Sequence, residues 1–138
     1  MFLKKIKLLI VDDQKSVRDV LKQLLADDQH IEVVGEAGDP LEARELIKQL
    51  SPDVLTLDVE MPKMDGITFL KNLMRLRPMP VVMLSTLTSR GASVTLDALE
   101  IGAVDFIAKP KIQDIVNNQS MFRLSLVNKI KAAAQVGQ

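Results

Sequence analysis

Several residue types that support particular functions are missing from this sequence or scarce in it. It has no cysteine, which excludes disulfide bonds, thiolate metal sites and cysteine nucleophiles within the chain. It has no tryptophan or tyrosine and only four phenylalanines, too few for a platform on which nucleic-acid bases or a flavin ring could stack. Its single histidine, His30, leaves little scope for acid–base chemistry that needs an imidazole.

An excess of charge of either sign is also lacking, since eighteen basic residues balance eighteen acidic ones. No net field attracts nucleic acid or anionic lipid, so we expect neither as a partner. The apolar runs, such as residues 8–11, are far too short to insert into a membrane and span it. The first apolar stretch stops at Asp12, which is typical of a strand and not of a signal peptide. These features favour a cytoplasmic protein.

Short apolar runs alternate with amphipathic stretches along the 138 residues, of which 47% are hydrophobic. The runs are rich in valine, isoleucine and leucine without polar alternation, a pattern typical of strands buried on both faces. We therefore predict five strands. They cover residues 8–11, 31–34, 54–57, 81–84 and 104–108.

The stretches between these runs have the three- and four-residue apolar spacing of helices. Asp39 before Pro40 predicts an N-cap followed by proline at the first helical position. Gly102 predicts the carboxyl end of the fourth helix. We expect five helices. They cover about residues 17–25, 40–50, 66–76, 89–101 and 119–134.

Strands and helices that alternate with short loops favour right-handed crossovers and a parallel sheet covered on both sides. Five such units predict an α/β fold, a flavodoxin-like (βα)5 sandwich whose five-stranded parallel sheet has the order 2-1-3-4-5. We expect one domain over residues 1–134. Residues 135–138 are interpreted as the start of a linker, with no second domain in this chain.

Polar side chains stand where the predicted strands end. Asp12 and Asp13 follow the first strand, Asp58 follows the third, Ser85 the fourth and Lys109 the fifth. In an open parallel sheet these ends share one edge, and ligands bind there, where the strand order reverses. Independent strands thus deliver three carboxylates, the two hydroxyls of Ser85 and Thr86, and an ammonium group to one rim.

Each of these residues also has an ordinary structural interpretation. Asp12 or Asp13 could cap the first helix, Asp58 or Ser85 could stabilise a turn, and Lys109 could be a solvated surface lysine. Their coincidence favours a functional site, because like charges about 4 Å apart repel by roughly 4 kcal/mol at an effective dielectric constant of 20. A divalent cation together with Lys109 would compensate that repulsion.

All-oxygen ligands with open positions favour Mg²⁺ as the cation. We expect Asp13 and Asp58 to bind it directly, Asp12 directly or through water, and the backbone carbonyl of Glu60 to be a further ligand. A carboxylate in this setting can attack a phosphoryl group and form an acyl phosphate. The metal and Lys109 would then neutralise charge on the phosphoryl oxygens.

Four parts of the sequence together resemble the receiver domain of two-component response regulators. They are residues 9–13 (Leu-Ile-Val-Asp-Asp), residues 58–66 (Asp-Val-Glu-Met-Pro-Lys-Met-Asp-Gly), Ser85 and Lys109 followed by proline. The resemblance spans nearly the whole chain.

The resemblance implies a role for each matching position. Asp58 is the expected phosphoacceptor, and Ser85 and Lys109 are the conserved hydroxyl and lysine that assist it. Phe106 falls at the position of the family's switch aromatic, which responds together with Ser85. Asp12 and Asp13 are the expected metal pair.

Within that family, residues 52–66, 74–83 and 87–106 are similar to the regulatory domain of chemotaxis protein-glutamate methylesterases (CheB). That similarity implies a chemotaxis histidine kinase as phosphoryl donor. It also implies a C-terminal methylesterase and deamidase domain that acts on chemoreceptors and whose activity phosphorylation switches. The chain alone should have no esterase activity, because His30 and Ser85 are predicted at opposite edges of the sheet.

Three other functions stay open at this stage. A stand-alone receiver would dock on a partner protein when phosphorylated. A flavin-binding flavodoxin-like protein would need aromatic residues that this sequence lacks. A transcription factor would need a DNA-binding domain beyond this chain.

Overall fold

The computed structural model describes residues 4–59, 61, 66–85, 89–109, 113 and 119–137. Five strands and five helices alternate along this part of the chain. The strands are β1 (Ile6–Val11), β2 (Ile31–Ala37), β3 (Val54–Asp58), β4 (Val81–Ser85) and β5 (Asp105–Ala108). The helices are α1 (Lys15–Leu25), α2 (Pro40–Leu50), α3 (Gly66–Leu76), α4 (Ser89–Ile101) and α5 (Gln119–Val136).

The strands form one parallel sheet with the order β2-β1-β3-β4-β5, which confirms the predicted topology. β2 is longer than predicted, and it reaches Ala37 because a register shift after Leu8 lets it pair with the whole of β1. The expectation that every strand is buried on both faces was wrong for β2 and β5. Both are edge strands and are partly exposed, whereas β3 and β4 are fully buried.

Two of the helix boundaries show the predicted capping chemistry. The Asp39 side chain accepts a hydrogen bond from the Glu42 N–H at 2.9 Å, and Pro40 is the first residue of α2. α4 is followed by Gly102, whose φ of 139° lies in the region that favours glycine. α5 ends at Val136, two residues beyond the predicted end.

The core lies on both faces of the sheet, because successive side chains of a strand point to opposite sides. Leu9 and Leu55 belong to the cluster under α2, α3 and α4, whereas Leu8 and Ile10 belong to the cluster under α1 and α5. Each fully buried leucine stabilises the fold by roughly 1.5–3 kcal/mol. Asp12 lies two residues after Ile10, so the alternation directs its side chain to the α1 and α5 face.

None of the helices in the described part of the chain combines the length and the apolar character that crossing a bilayer requires.

Candidate acidic metal site

Neighbouring parallel strands bring Asp12 and Asp58 together. β1 and β3 pair in register with Val11 opposite Leu57, so the residues that follow them are adjacent at the carboxyl edge. Both carboxylates are buried, with relative exposures of 0% for Asp12 and 2% for Asp58. The carboxylates that follow β1 and end β3 are therefore adjacent, as the sequence predicted.

Lys109 reaches both buried carboxylates from the far side of β4. Its Nζ lies 3.1 Å from Asp12 Oδ2 and 3.2 Å from Asp58 Oδ2, and its side chain is 12% exposed. Its backbone N–H donates a hydrogen bond to the Ser85 carbonyl at 2.6 Å, which fixes the end of β5 beside β4. The ordinary interpretation of Lys109 as a solvated surface lysine was wrong.

The charges of the site are only partly balanced. Burial raises the pKa of the Asp12 carboxyl, and repulsion by Asp58 raises it further, against the lowering effects of the Gln14 N–H and Lys109. Burial would lower the pKa of Lys109, but the charges of Asp12 and Asp58 outweigh it and raise that pKa overall. Lys109 therefore stays protonated at neutral pH, and one ammonium group faces more than one carboxylate.

The residues present fit a divalent cation. One carboxylate oxygen from each of Asp12, Asp13 and Asp58 lies within 4.8 Å of the other two, and Asp13 is exposed to solvent. Asp12 Oδ2 is buried and accepts no hydrogen bond within the described part of the chain, since its contact with Lys109 has ion-pair distance without hydrogen-bond geometry. A metal would supply its missing partner. Glu60, the expected carbonyl ligand, lies outside the described residues.

The backbone around Asp12 is held by contacts that the sequence analysis did not identify. The Gln14 N–H donates to Asp12 Oδ1 at 2.8 Å, and Gln14 is the N-cap residue of α1. Arg18 donates from Nη1 to the Asp12 carbonyl at 2.6 Å and from Nε to Glu36 Oε1 at 2.8 Å. Asp12 is thus not the helix cap that its ordinary interpretation required, and Arg18 ties it to β2. An arginine on the polar side of α1 gives no signal in the sequence for this contact.

Gly66 is required by its close approach to the backbone that carries Asp58. A Cβ at this position would lie 2.7 Å from the Val59 carbonyl oxygen and 3.0 Å from the Asp58 carbonyl oxygen. Backbone atoms cannot rotate away as the end of a side chain can. The first residue of α3 therefore packs on β3 only if it is glycine.

We expect Gly66→Ala to destabilise the fold by about 2–3 kcal/mol, because the backbone of β3 or α3 must shift. Alanine stabilises a helix by about 1 kcal/mol relative to glycine, so a net loss of stability can come only from the contact. Urea unfolding measures it. The matched control is Gly35→Ala, whose Cβ would meet the flexible Leu50 side chain at 2.9 Å. Equal losses for the two variants would show that the Gly66 contact is unimportant.

Ser85 and Phe106 lie at the strand positions expected for a switch pair, but their side chains differ in exposure. Ser85 is 6% exposed at the end of β4, whereas Phe106 is 41% exposed on β5. The Phe106 ring lies 5.0 Å from the Lys129 Nζ, and its backbone carbonyl accepts a hydrogen bond from that nitrogen. The Phe106 ring therefore faces outward in this structure.

His30 lies at the opposite edge of the sheet from Ser85. Its carbonyl accepts a hydrogen bond from the N–H of Ile6, the first residue of β1, at 2.8 Å, whereas Ser85 ends β4. The two side chains are separated by the length of a parallel strand. This confirms that they cannot act as a histidine–serine pair.

Comparison with known proteins gives a consistent match. The response regulator receiver domain family matches residues 8–119. The response regulator domain of Thermotoga maritima CheB superimposes with a TM-score of 0.82 at 40% sequence identity, covering 96% of this chain and 98% of that one. A chain of the CheX–CheY–BeF₃⁻–Mg²⁺ complex from Borrelia burgdorferi superimposes with a TM-score of 0.75 at 30% identity, covering 94% of this chain and 89% of that one.

Similar relatives include two bacterial proteins named protein-glutamate methylesterase/protein-glutamine glutaminase. The one from Hydrogenovibrio crunogenus is 59% identical over 134 residues, which is 97% of this chain. The one from Xanthomonas campestris is 59% identical over 130 residues, which is 94% of this chain. The chain spans 35% and 36% of the lengths of these relatives.

Proposed function

Because the chain belongs to the response regulator receiver domain family and is of the CheB type, we propose that Asp58 accepts a phosphoryl group with the assistance of Mg²⁺. The observation that carries this proposal is the position of Lys109, whose ammonium group lies between the buried carboxylates of Asp58 and Asp12. Such an arrangement leaves a nucleophilic carboxylate beside an acidic site that is open to solvent at Asp13.

In the proposed reaction, an Asp58 carboxylate oxygen attacks the phosphorus of a phosphohistidine on the kinase. An O–P bond forms, the P–N bond breaks, and the imidazole leaves with the bonding electron pair and takes up a proton from solvent. The product is an acyl phosphate. Lys109 stays charged and donates to a phosphoryl oxygen, and the Ser85 hydroxyl donates to another.

We infer that the cation would be Mg²⁺, because the donor set consists of carboxylates and because the exposed Asp13 leaves the site open to water. Asp13 and Asp58 are its proposed direct ligands, Asp12 would bind it directly or through water, and the backbone carbonyl of Glu60 is a further proposed ligand. When bound, Mg²⁺ supplies positive charge that neutralises the equatorial phosphoryl oxygens. The buried Asp12 Oδ2, which has no hydrogen-bond partner among the described residues, supports this assignment.

For the whole protein we propose a phosphorylation switch that controls a linked domain. The names of the relatives, protein-glutamate methylesterase/protein-glutamine glutaminase, support a linked domain with these two activities. We propose that this domain is C-terminal and acts on chemoreceptors, and that the protein is cytoplasmic. The phosphoryl donor would be a chemotaxis histidine kinase. The receiver domain predicted over residues 1–134 then extends to the end of α5 at Val136, and the connection follows this helix. Esterase chemistry is assigned to the linked domain, since His30 and Ser85 lie apart.

The first test is metal-dependent phosphorylation. Incubating the chain with acetyl phosphate and Mg²⁺ should add one phosphoryl group, seen as a single mass increment in intact-protein mass spectrometry. Removing Mg²⁺ with a chelator should stop the reaction, and adding excess Mg²⁺ back should restore it. Undiminished phosphorylation in the chelator would rule out the proposed role of the acidic cluster.

We also expect phosphorylation of Asp58 to change the conformation of the face formed by α4, β5 and α5. Ser85 would move toward the phosphoryl group, and the space it leaves would admit the Phe106 ring, which now lies outside. A ligand shifts such an equilibrium only through its different affinity for the two states. The exposed apolar side chains of α4 and α5, Leu96, Met121 and Leu124, are suited to contact a partner domain.

Amide NMR shifts with and without beryllium fluoride and Mg²⁺ measure this change. Shifts should extend from the acidic site to Phe106 and into α4 and α5, while α2 serves as the internal reference. Shifts confined to residues 12, 13, 58 and their neighbours would contradict the proposed switch.

A further inference from the structure

A groove of about 460 Å³ runs between α2 and α3, outside the acidic site and outside the face of α4, β5 and α5. Buried side chains of Ile47, Phe69 and Leu73 form its floor. Leu41 and Leu76 stand on its walls and are 69% and 65% exposed. The groove is therefore concave, apolar at its base and open to solvent.

The charged residues that line this groove are all basic. Its walls carry Arg44, Lys48, Arg75 and Arg77, and no acidic side chain is among the described residues that line it. The sequence of α3, residues 66–76, contains no acidic residue at all. The formal net charge of the chain is zero, yet positive charge is concentrated at this one apolar groove.

Two of the four basic side chains already have structural roles. Arg77 donates to the Ile47 carbonyl and to Ser51 Oγ, both at 3.1 Å, and so ties α3 to the carboxyl end of α2. Lys48 lies 4.0 Å from the Glu45 carboxylate, at the limit of an ion pair, and both side chains are largely exposed.

Arg44 and Arg75 have no such role. Both are exposed, and neither makes an ion pair or a hydrogen bond with its side chain to any residue that the structure describes. They lie on opposite helices of the same groove. A ligand in the groove can therefore meet a guanidinium group on each side.

We propose that the α2–α3 groove is a docking site for an acidic amphipathic helix of a partner protein. Leucine or phenylalanine side chains of that helix would enter between Leu41 and Leu76, and its carboxylates would pair with Arg44 and Arg75. A helix is favoured over a lipid surface because the apolar floor lies at the bottom of a groove, where a flat bilayer cannot reach it. Docking here leaves the α4, β5 and α5 face free, so it does not depend on phosphorylation of Asp58.

The test is fluorescence anisotropy with a labelled synthetic helix of about 16 residues, roughly 24 Å long. The probe carries leucine at three- and four-residue spacing and glutamate on the flanking positions, and a control peptide carries lysine in place of glutamate. The unphosphorylated chain should bind the acidic peptide and not the basic one. The double variant Arg44→Glu with Arg75→Glu should weaken binding at least about tenfold, since two guanidinium–carboxylate pairs become repulsive.

The matched control is Lys5→Glu with Lys71→Glu, which makes the same change in net charge at exposed residues outside the groove. It should retain most of the affinity, and circular dichroism melting should show that both double variants are folded. Equal losses in both variants, or no binding of the acidic peptide to the original chain, would overturn the proposal. So would tighter binding to vesicles of equimolar phosphatidylcholine and phosphatidylserine than to the peptide. An Asp58→Asn chain should bind the peptide unchanged, which separates this result from the proposed phosphorylation.

Discussion

Asp58→Asn is expected to abolish phosphorylation by acetyl phosphate in the presence of Mg²⁺. An amide oxygen is a far weaker nucleophile than a carboxylate and carries no charge to hold the metal. The variant should remain folded, because Asp58 is buried beside another carboxylate and the substitution removes their repulsion while keeping the shape of the side chain. Mass spectrometry after incubation should therefore show unmodified, folded protein.

The matched control for this experiment is Asp27→Asn, which changes an exposed carboxylate outside the acidic cluster. It should be phosphorylated at the original rate. An Asp58→Asn chain that gains a phosphoryl group at that rate would show that another residue is the acceptor. A variant that is unfolded by circular dichroism would need to be replaced by Asp58→Ala before the comparison is made.

Asp12→Asn is expected to have opposite effects on metal binding and on stability. It removes a carboxylate from the cluster, so Mg²⁺ should bind at least about tenfold more weakly, which corresponds to about 1.4 kcal/mol. It also removes a buried charge that Asp58 repels, so the metal-free fold should gain stability on the order of 1 kcal/mol. Lys109 keeps its contact with Asp58 in the variant.

The pH dependence of that gain follows from the raised pKa of Asp12. Well below the ordinary aspartate pKa, about 3.9, the carboxyl is protonated in both the folded and unfolded states and carries no penalty. As pH rises, the unfolded chain releases this proton first, and above the folded-state pKa the folded chain must bear the buried charge. The stability advantage of Asp12→Asn should therefore be small near pH 3, appear as pH rises above the ordinary aspartate pKa, and reach its full size above the folded-state pKa.

Isothermal calorimetry with Mg²⁺ and urea unfolding in a chelator measure these two effects separately. Asp27→Asn again provides a control that should alter neither. A loss of stability in the metal-free Asp12→Asn chain at neutral pH would contradict the unbalanced charge that we infer for the site.

Much of the fold follows from local patterns in the sequence. The central strands were predictable because β3 and β4 are buried on both faces and so contain only residues that pack there, apart from Thr56 and the terminal Asp58 and Ser85. The full length of β2 was not predictable, because Gly35 and Glu36 are poor strand formers and are held there by pairing with β1. Tertiary contacts override local preference at such an edge.

The acidic site was predictable to the extent that it depends on where strands end. Asp12, Asp58 and Lys109 meet because a parallel sheet places the carboxyl ends of its strands at one edge. The supporting contacts of Arg18 and Gly66 were not predictable as contacts. They depend on how closely α1 and α3 pack on the sheet, and that distance is set by side chains throughout both clusters of the core.

The α2–α3 groove was only partly predictable from the sequence. The absence of acidic residues from α3 is visible in the sequence, and so is the spacing of Arg44 and Lys48 on α2. The sequence does not show that both helices direct basic side chains toward one apolar groove. That arrangement exists only in the folded chain, where the sheet places the two helices side by side.

Borohydride reduction of the phosphorylated chain tests the central claim most directly. An aspartyl phosphate is reduced to homoserine, so peptide mass spectrometry locates the modified residue. We predict homoserine at position 58 alone, formed when Mg²⁺ and acetyl phosphate are both present and absent when either is withheld. Homoserine at another aspartate, or a stable phosphoryl group that borohydride leaves intact on a hydroxyl side chain, would contradict the account.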